Sequence, residues 1–201
     1  GLNQNVQNEL GVAALLHDVG KSRIPVEILF KPGGLDQRER SVMEEHAEIG
    51  ARMLMESGNA SEMAIAVAWG HHRRYDGQGY PAMPLGGHES AITQIVNVCD
   101  VFEALTAIRP YKKAHTARKA YEIMLSESGW FCPNALSSFF SAVGLYPPGS
   151  LVKLSSGHRA QVVAPGELFD RPRVKLSHKP DGLAMEQHEM VEIDLSTHPS
   201  R

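Results

Sequence analysis

Residues Leu15–Pro25, LLHDVGKSRIP, set the reading of the whole chain. An apolar helical run ends here in His17 and Asp18, and Lys21 follows three residues after the aspartate. Side chains three and four positions apart share one face of a helix, so Lys21 lies over both Asp18 and His17. Gly20 leaves room for a ligand to approach the backbone. An imidazole, a carboxylate and an ammonium at the end of an oily helix are costly to bury without partners. Metal ions and an anionic substrate would satisfy all three. Read alone, the pair is also consistent with a surface turn, and the remainder of the chain decides.

The chain has 201 residues, enough for one core and a small appendage. A formal charge of -3 argues against a broad nucleic-acid footprint and leaves room for a local basic pocket. Cys99 and Cys132 both lie in apolar helical stretches and read as two reduced core thiols of a cytoplasmic protein. No stretch has the length of a membrane span, and no signal peptide is visible. The first residue is glycine, so a fragment of a longer chain is expected.

Outward from the opening stretch, Leu10 to Val19 is mostly apolar and reads as a deeply buried helix. Ile24 to Leu35 carries Pro25, Pro32, Gly33 and Gly34 and reads as a connector. Asp36 and Glu39 form a capping-box pattern for a second helix, which Gly58 ends. His46 falls on its apolar stripe, either as a hydrogen-bonded core histidine or as a ligand. Ser61 caps a third helix that ends in His71 and His72. Adjacent helical residues diverge by about 100°, so the two rings would face different metals, or a metal and a phosphate. A histidine pair at a helix C-terminus also complements the dipole.

Arg73 to Glu89 is a long Gly- and Pro-rich loop, either a binding loop or a solvated turn. Tyr75 and Tyr80 offer faces for stacking on a base, and Arg73 and Arg74 offer charge for phosphate. Ala91 to Thr106 is apolar nearly all round and reads as a central buried helix. Asp100 sits within it, where a carboxylate without partners is expensive, and this favours a metal. Arg109 to Lys113 is a basic turn, a phosphate site or a solvated corner. Thr116 caps a fifth helix and Pro133 opens a sixth. From Tyr146 onward, LVKL, AQVV, RVKL and MVEIDL are short β-prone runs between turns. The expected fold is therefore mainly α, a helical bundle over 1–145, with a small β-rich extension at 146–201.

His17, Asp18, His46, His71, His72 and Asp100 match the ligand preferences of iron, manganese or zinc. Two ions about 4 Å apart activate water and stabilise both the attacking and leaving oxygens of a phosphoryl displacement.

The succession LLHDVGKSRIP, HAEIG, HHRRYDGQGYP and NVCDVFEALTAIRPYKK, spread over residues 10–145, resembles the HD superfamily of metal-dependent phosphohydrolases, and within it the HD-GYP family. The resemblance implies a helical bundle that hydrolyses cyclic di-GMP to pGpG and in some members to GMP, at two or three divalent metal ions. It implies that His17, Asp18, His46, His71, His72 and Asp100 are ligands, with Asp18 bridging. The attacking group would be a metal-bridging hydroxide. Lys21 matches the lysine at the scissile phosphate, Tyr80 the GYP tyrosine that contacts ligand, and Arg109 with Lys112 a basic pair near the nucleotide. Family members usually carry an upstream sensor or receiver domain, and the GYP loop at 79–81 could dock a diguanylate cyclase. The family's further ligand, a His or Glu on a preceding helix, has no counterpart here, since Glu9 is too near His17. Position 103 is Glu where Asp is common. A binding or adaptor domain with weak or silent turnover is the alternative, followed by a hydrolase of another cyclic nucleotide.

Overall fold

A computed structural model describes residues 2–83, 90–108 and 113–197. The chain divides into two compact units, one of residues 1–114 with 126–136, the other of 115–125 with 137–201.

The first unit is helical. Helix α1, Gln4–Leu16, is capped by the Asn3 side chain on the Val6 amide. A 3-10 turn, Val19–Arg23, and a short helix α2, Val26–Leu29, follow. Helix α3, Gln37–Glu44, opens with the expected reciprocal box between Asp36 and Glu39. It is separated at Glu45 from α4, His46–Ser57, which Gly58 ends at φ 68°. Ser61 caps α5, Glu62–Gly70, and α6 spans Ala91–Thr106. Ala13, Leu54, Ala64, Val67, Ala68 and Val96 form the core between α1, α4, α5 and α6. Its many alanines let these helices approach closely.

The second unit holds α7, Ala117–Ser126, most of α8, Pro133–Val143, and four strands. Strands β1, Leu151–Lys153, β2, Arg159–Leu168, β3, Arg171–His178, and β4, Glu192–Asp194, make an antiparallel meander in sequence order. Ala160, Val162, Val174 and Leu176 alternate onto one face and form a second core with Leu195.

The helical bundle with a small sheet is the expected fold class, but three burial expectations fail. The first helix is not deeply buried: only Ala13 is fully enclosed, and Leu15 is 85% exposed. It spends one face on α5, and the apolar residues on its far side stay at the surface. Helix α6 is buried through Thr93, Gln94, Val96, Asn97 and Val98 in its first half only. Cys99 is exposed, so it is no core thiol.

Candidate metal centre

The centre is assembled from helix ends. His17 is the C-cap of α1, Asp18 precedes the 3-10 turn, His46 is the first residue of α4, and His71 is the C-cap of α5. Asp100 comes from the middle of α6. Chain reversals at these ends bring residues far apart in sequence to one point.

Asp18 lies at the focus. Its Oδ1 is 3.4 Å from His46 Nε2 and 3.6 Å from His71 Nε2, and its Oδ2 is 3.3 Å from His17 Nε2. His17 Nε2 is 3.7 Å from Asp100 Oδ1. Ligand atoms of Asp18, His46, His71 and His72 all lie within 4.8 Å of one another. His71 and His72 do not diverge as a continuous helix would require. Helix α5 stops at Gly70, and the turn beyond it brings their ring centroids to 4.0 Å.

The rings are aimed by the main chain. Nδ1 of His17 lies 2.6 Å from Ala14 O, Nδ1 of His46 2.7 Å from Met43 O, and Nδ1 of His71 3.0 Å from Val67 O. A carbonyl can only accept, so each Nδ1–H donates and each Nε2 is turned inward. In the neutral rings Nε2 presents its lone pair, the arrangement seen in metal-ligating histidines. His46 Nε2 and His71 Nε2 are 3.3 Å apart, and both face Asp18 Oδ1. Asp18 Oδ1 and His17 Nε2 are buried and make no hydrogen bond of ordinary geometry among the described residues. Once the rings have shed their Nε2 protons, acceptor atoms converge with no hydrogen between them and call for cations, so the residues fit divalent metals.

The electrostatics agree. The Asp100 carboxylate first, then that of Asp18, raise the His17 imidazolium to about 10 against the effect of burial. Burial would raise Asp18, but the imidazoles of His17, His46 and His71 around it and the Lys21 ammonium outweigh it and hold the carboxyl far below the usual range. Asp100 is likewise lowered: burial opposes, and the His17 hydrogen bond prevails. Burial, then the neighbouring His71 and His46, lower His72 to about 3, which leaves its ring neutral at pH 7.

Lys21 Nζ donates to Asp18 Oδ2, with the lysine side chain 35% exposed. Gly20 serves this contact differently from expectation. A Cβ there would collide with the His46 main-chain oxygen and lie 2.6 Å from Gly50 N. The space is taken by α4, not left for a ligand, and it seats Asp18 against His46.

Tyr80 closes one side, its ring centroid 4.6 Å from that of His72. Burial, then Glu44 and Asp100, push its phenol up, so it stays neutral. The loop that carries it is pinned by Arg73, which is 2% exposed. Arg73 Nη1 donates to Pro81 O at 2.6 Å and Nη2 to Gly77 O at 3.0 Å. Gly79, at φ 83°, brings the loop so close that a Cβ would strike His72 O. Arg73 is therefore not free for phosphate. Nor is Arg74, which pairs with Asp76 at 2.6 Å and covers the Trp130 ring at 4.5 Å. Tyr75 is 53% exposed. Arg109 and Lys112 lie outside the described residues.

Two further residues support the site. Asn97 Nδ2 donates to His71 O at 2.8 Å, and Gln94 Nε2 to Arg73 O at 3.3 Å. Both are buried polar side chains, three apart on an apolar helix, and that pattern was the available signal.

Comparison with known proteins bears on the same residues. A family model described as HD domain matches residues 1–134. The chain is 41% identical over 169 residues to a cyclic di-GMP phosphodiesterase of Pseudomonas aeruginosa, covering 84% of this chain and 41% of that protein. It is 40% identical over 130 residues to a cyclic di-GMP phosphodiesterase response regulator of Xanthomonas campestris, covering 64% and 34%. It is 37% identical over 130 residues to a 3'3'-cGAMP-specific phosphodiesterase of Vibrio cholerae, covering 64% and 25%. The chain thus spans between a quarter and about two fifths of the length of these relatives.

Proposed function

The chain belongs to the HD domain family, and from that premise we propose that it is a metal-dependent phosphodiesterase that opens cyclic di-GMP to pGpG, with GMP as a further product. The observation that carries this reading is the convergence of His46, His71 and His72 on Asp18, beside Lys21 and Tyr80.

Asp18, His46, His71 and His72 would hold the metal ions, with His17 and Asp100 completing a site for a second or third. Iron or manganese suits the histidine-carboxylate set best, and zinc is the other candidate. Bound there, the ions supply an acidified water and charge stabilisation for the phosphoryl oxygens. The chain's own residues do the rest. Main-chain carbonyls hold the imidazoles in the ligating tautomer. In this reading the Lys21 ammonium, on a side chain 35% exposed beside the Asp18 carboxylate, meets a non-bridging phosphate oxygen. Tyr80, neutral and tilted 30° to the His72 ring, donates a hydrogen bond to substrate or stacks on a base. Arg109 and Lys112 are assigned to the nucleotide in the same reading.

An upstream sensor or receiver domain, docking of a diguanylate cyclase through the loop at 79–81, and a cytoplasmic location belong to this proposal. Among the described residues no helix is long and apolar enough to cross a membrane. The 3'3'-cGAMP specificity of one relative favours a second reading, in which the mixed dinucleotide is the better substrate.

The test is turnover by protein purified without oxygen and loaded with iron or manganese, on a panel of cyclic di-GMP, 3'3'-cGAMP and cyclic di-AMP, with products resolved by chromatography. pGpG from wild type and none from Asp18→Asn is the expected result. Metal-loaded protein that binds cyclic di-GMP without product would establish the silent binding domain instead.

A further inference from the structure

The sheet of the second unit carries a feature that the phosphodiesterase reading leaves unused. Its inner face is apolar, while its outer face gathers cations. The register pairs Lys153 on β1 with Arg159 on β2, and Arg159 with His178 on β3. Lys153 and Arg159, directly opposed on neighbouring strands in regular register, lie about 5 Å apart and point the same way. Like charges in that position repel and destabilise the sheet. Among the described residues neither Lys153 nor Arg159 makes an ion pair within 4.0 Å that would relieve this repulsion.

These residues border a concavity of about 260 Å³ lined by Leu151, Val152, Lys153, Arg159, Ser177 and His178. No carboxylate lines it. Ser177 Oγ donates to Arg159 O at 3.2 Å, and it lies 3.0 Å from His178 Nδ1, so a hydroxyl and an imidazole flank the two cations. Lys175, one row further along the sheet, lies between Gln161 on β2 and Glu192 on β4, so the cationic patch ends there. The opposite end of the lining is apolar, with Leu151 78% exposed.

We propose that this concavity binds a phosphate monoester, with Lys153 and Arg159 on the phosphoryl oxygens and the organic part over Leu151. The two fixed positive charges match a phosphate dianion. A guanidinium meets two phosphate oxygens at once, and the lysine acts as a point charge beside it. Bare phosphate would leave much of the volume empty, and the apolar end accommodates a carbon skeleton. A soluble ester and the headgroup of an anionic phospholipid offer the same chemistry.

The experiment uses the full chain and two probes. The first is glycerol 3-phosphate, titrated calorimetrically. The second is phosphatidylcholine vesicles containing phosphatidic acid, read by co-sedimentation. Both are run on wild type and on Lys153→Glu/Arg159→Glu, two exposed positions, with circular dichroism to check that the variant keeps its fold. Saturable binding of the free ester, weakened at least tenfold in the double variant, supports the proposal with a soluble ligand. Sedimentation with acidic vesicles alone, lost in the double variant, supports it with a lipid headgroup. Equal binding by both proteins, or no binding of either probe by wild type at millimolar concentration, overturns it. Turnover of cyclic dinucleotide is expected to be unchanged in the double variant, so failure here is distinguishable from failure of the phosphodiesterase assignment.

Discussion

Arg73→Met isolates the part of the site that holds the substrate loop from the part that holds metal. The guanidinium is almost wholly enclosed and bonds the carbonyls of Pro81 and Gly77. Methionine keeps much of the apolar stem and removes both donors. A hydrogen bond from a charged group contributes about 1.5–3 kcal/mol, and the Pro81 carbonyl, left buried without a partner, costs about 1–3 kcal/mol, whereas Gly77 is exposed and its carbonyl can turn to water. Relief of burying a guanidinium offsets part of this, which leaves a net loss of about 3 kcal/mol. For a chain of this size that lowers Tm by about 6–12 °C. The histidines are tied elsewhere, His71 through Asn97 and its own helix. Metal content by elemental analysis should therefore be unchanged, while kcat/KM falls at least tenfold because Tyr80 is carried between the two carbonyls. Arg73→Lys, which can serve only one carbonyl at a time, should fall between. A Tm within 2 °C of wild type, or metal lost in step with activity, would refute the division of labour.

Two other outcomes follow from the geometry. His17 is raised to about 10 in the metal-free fold, so binding a cation at its Nε2 must expel a proton at neutral pH. Metal affinity should rise with pH from 7 towards 10 and level off above it; calorimetry in buffers of differing ionisation enthalpy should show the released proton, and an affinity flat across that window would contradict it. Gly20→Ala should cost about 1–3 kcal/mol by overpacking against α4 and should lower bound metal by parting Asp18 from His46, whereas Gly11→Ala, with open space around it, should be neutral or stabilising by thermal denaturation.

Much of this architecture was legible because it depends on local chemistry. Asp36 with Glu39, Ser61 and Gly58 mark helix ends through side-chain and backbone preferences that need no tertiary partner. The alternation in AQVV and RVKL shows which face of the sheet is inside. The candidate ligands stood out as costly residues on apolar stretches. What could not be read is set by packing. Where α5 stops decides whether His71 and His72 part or converge. Whether Arg73 meets solvent or two carbonyls depends on how the following loop folds back. Gly20 looked like space for a ligand because nothing near it in sequence announces the main chain of α4. The exposure of Leu15 and Cys99 is likewise a matter of which neighbours each helix finds, and composition does not encode that.

The tethering of three imidazoles to carbonyls has a consequence for anyone mapping or redesigning the centre. Ala14, Met43 and Val67 lend oxygens that every amino acid possesses, so exchanging their side chains leaves the orienting contacts in place. An alanine scan of this outer ring has nothing to change at Ala14 and would register Val67 only as lost core packing, so it would miss the part played by the oxygens. Backbone-directed changes, such as an ester in place of an amide or a proline that reroutes the turn, are the perturbations to which the ring geometry should respond.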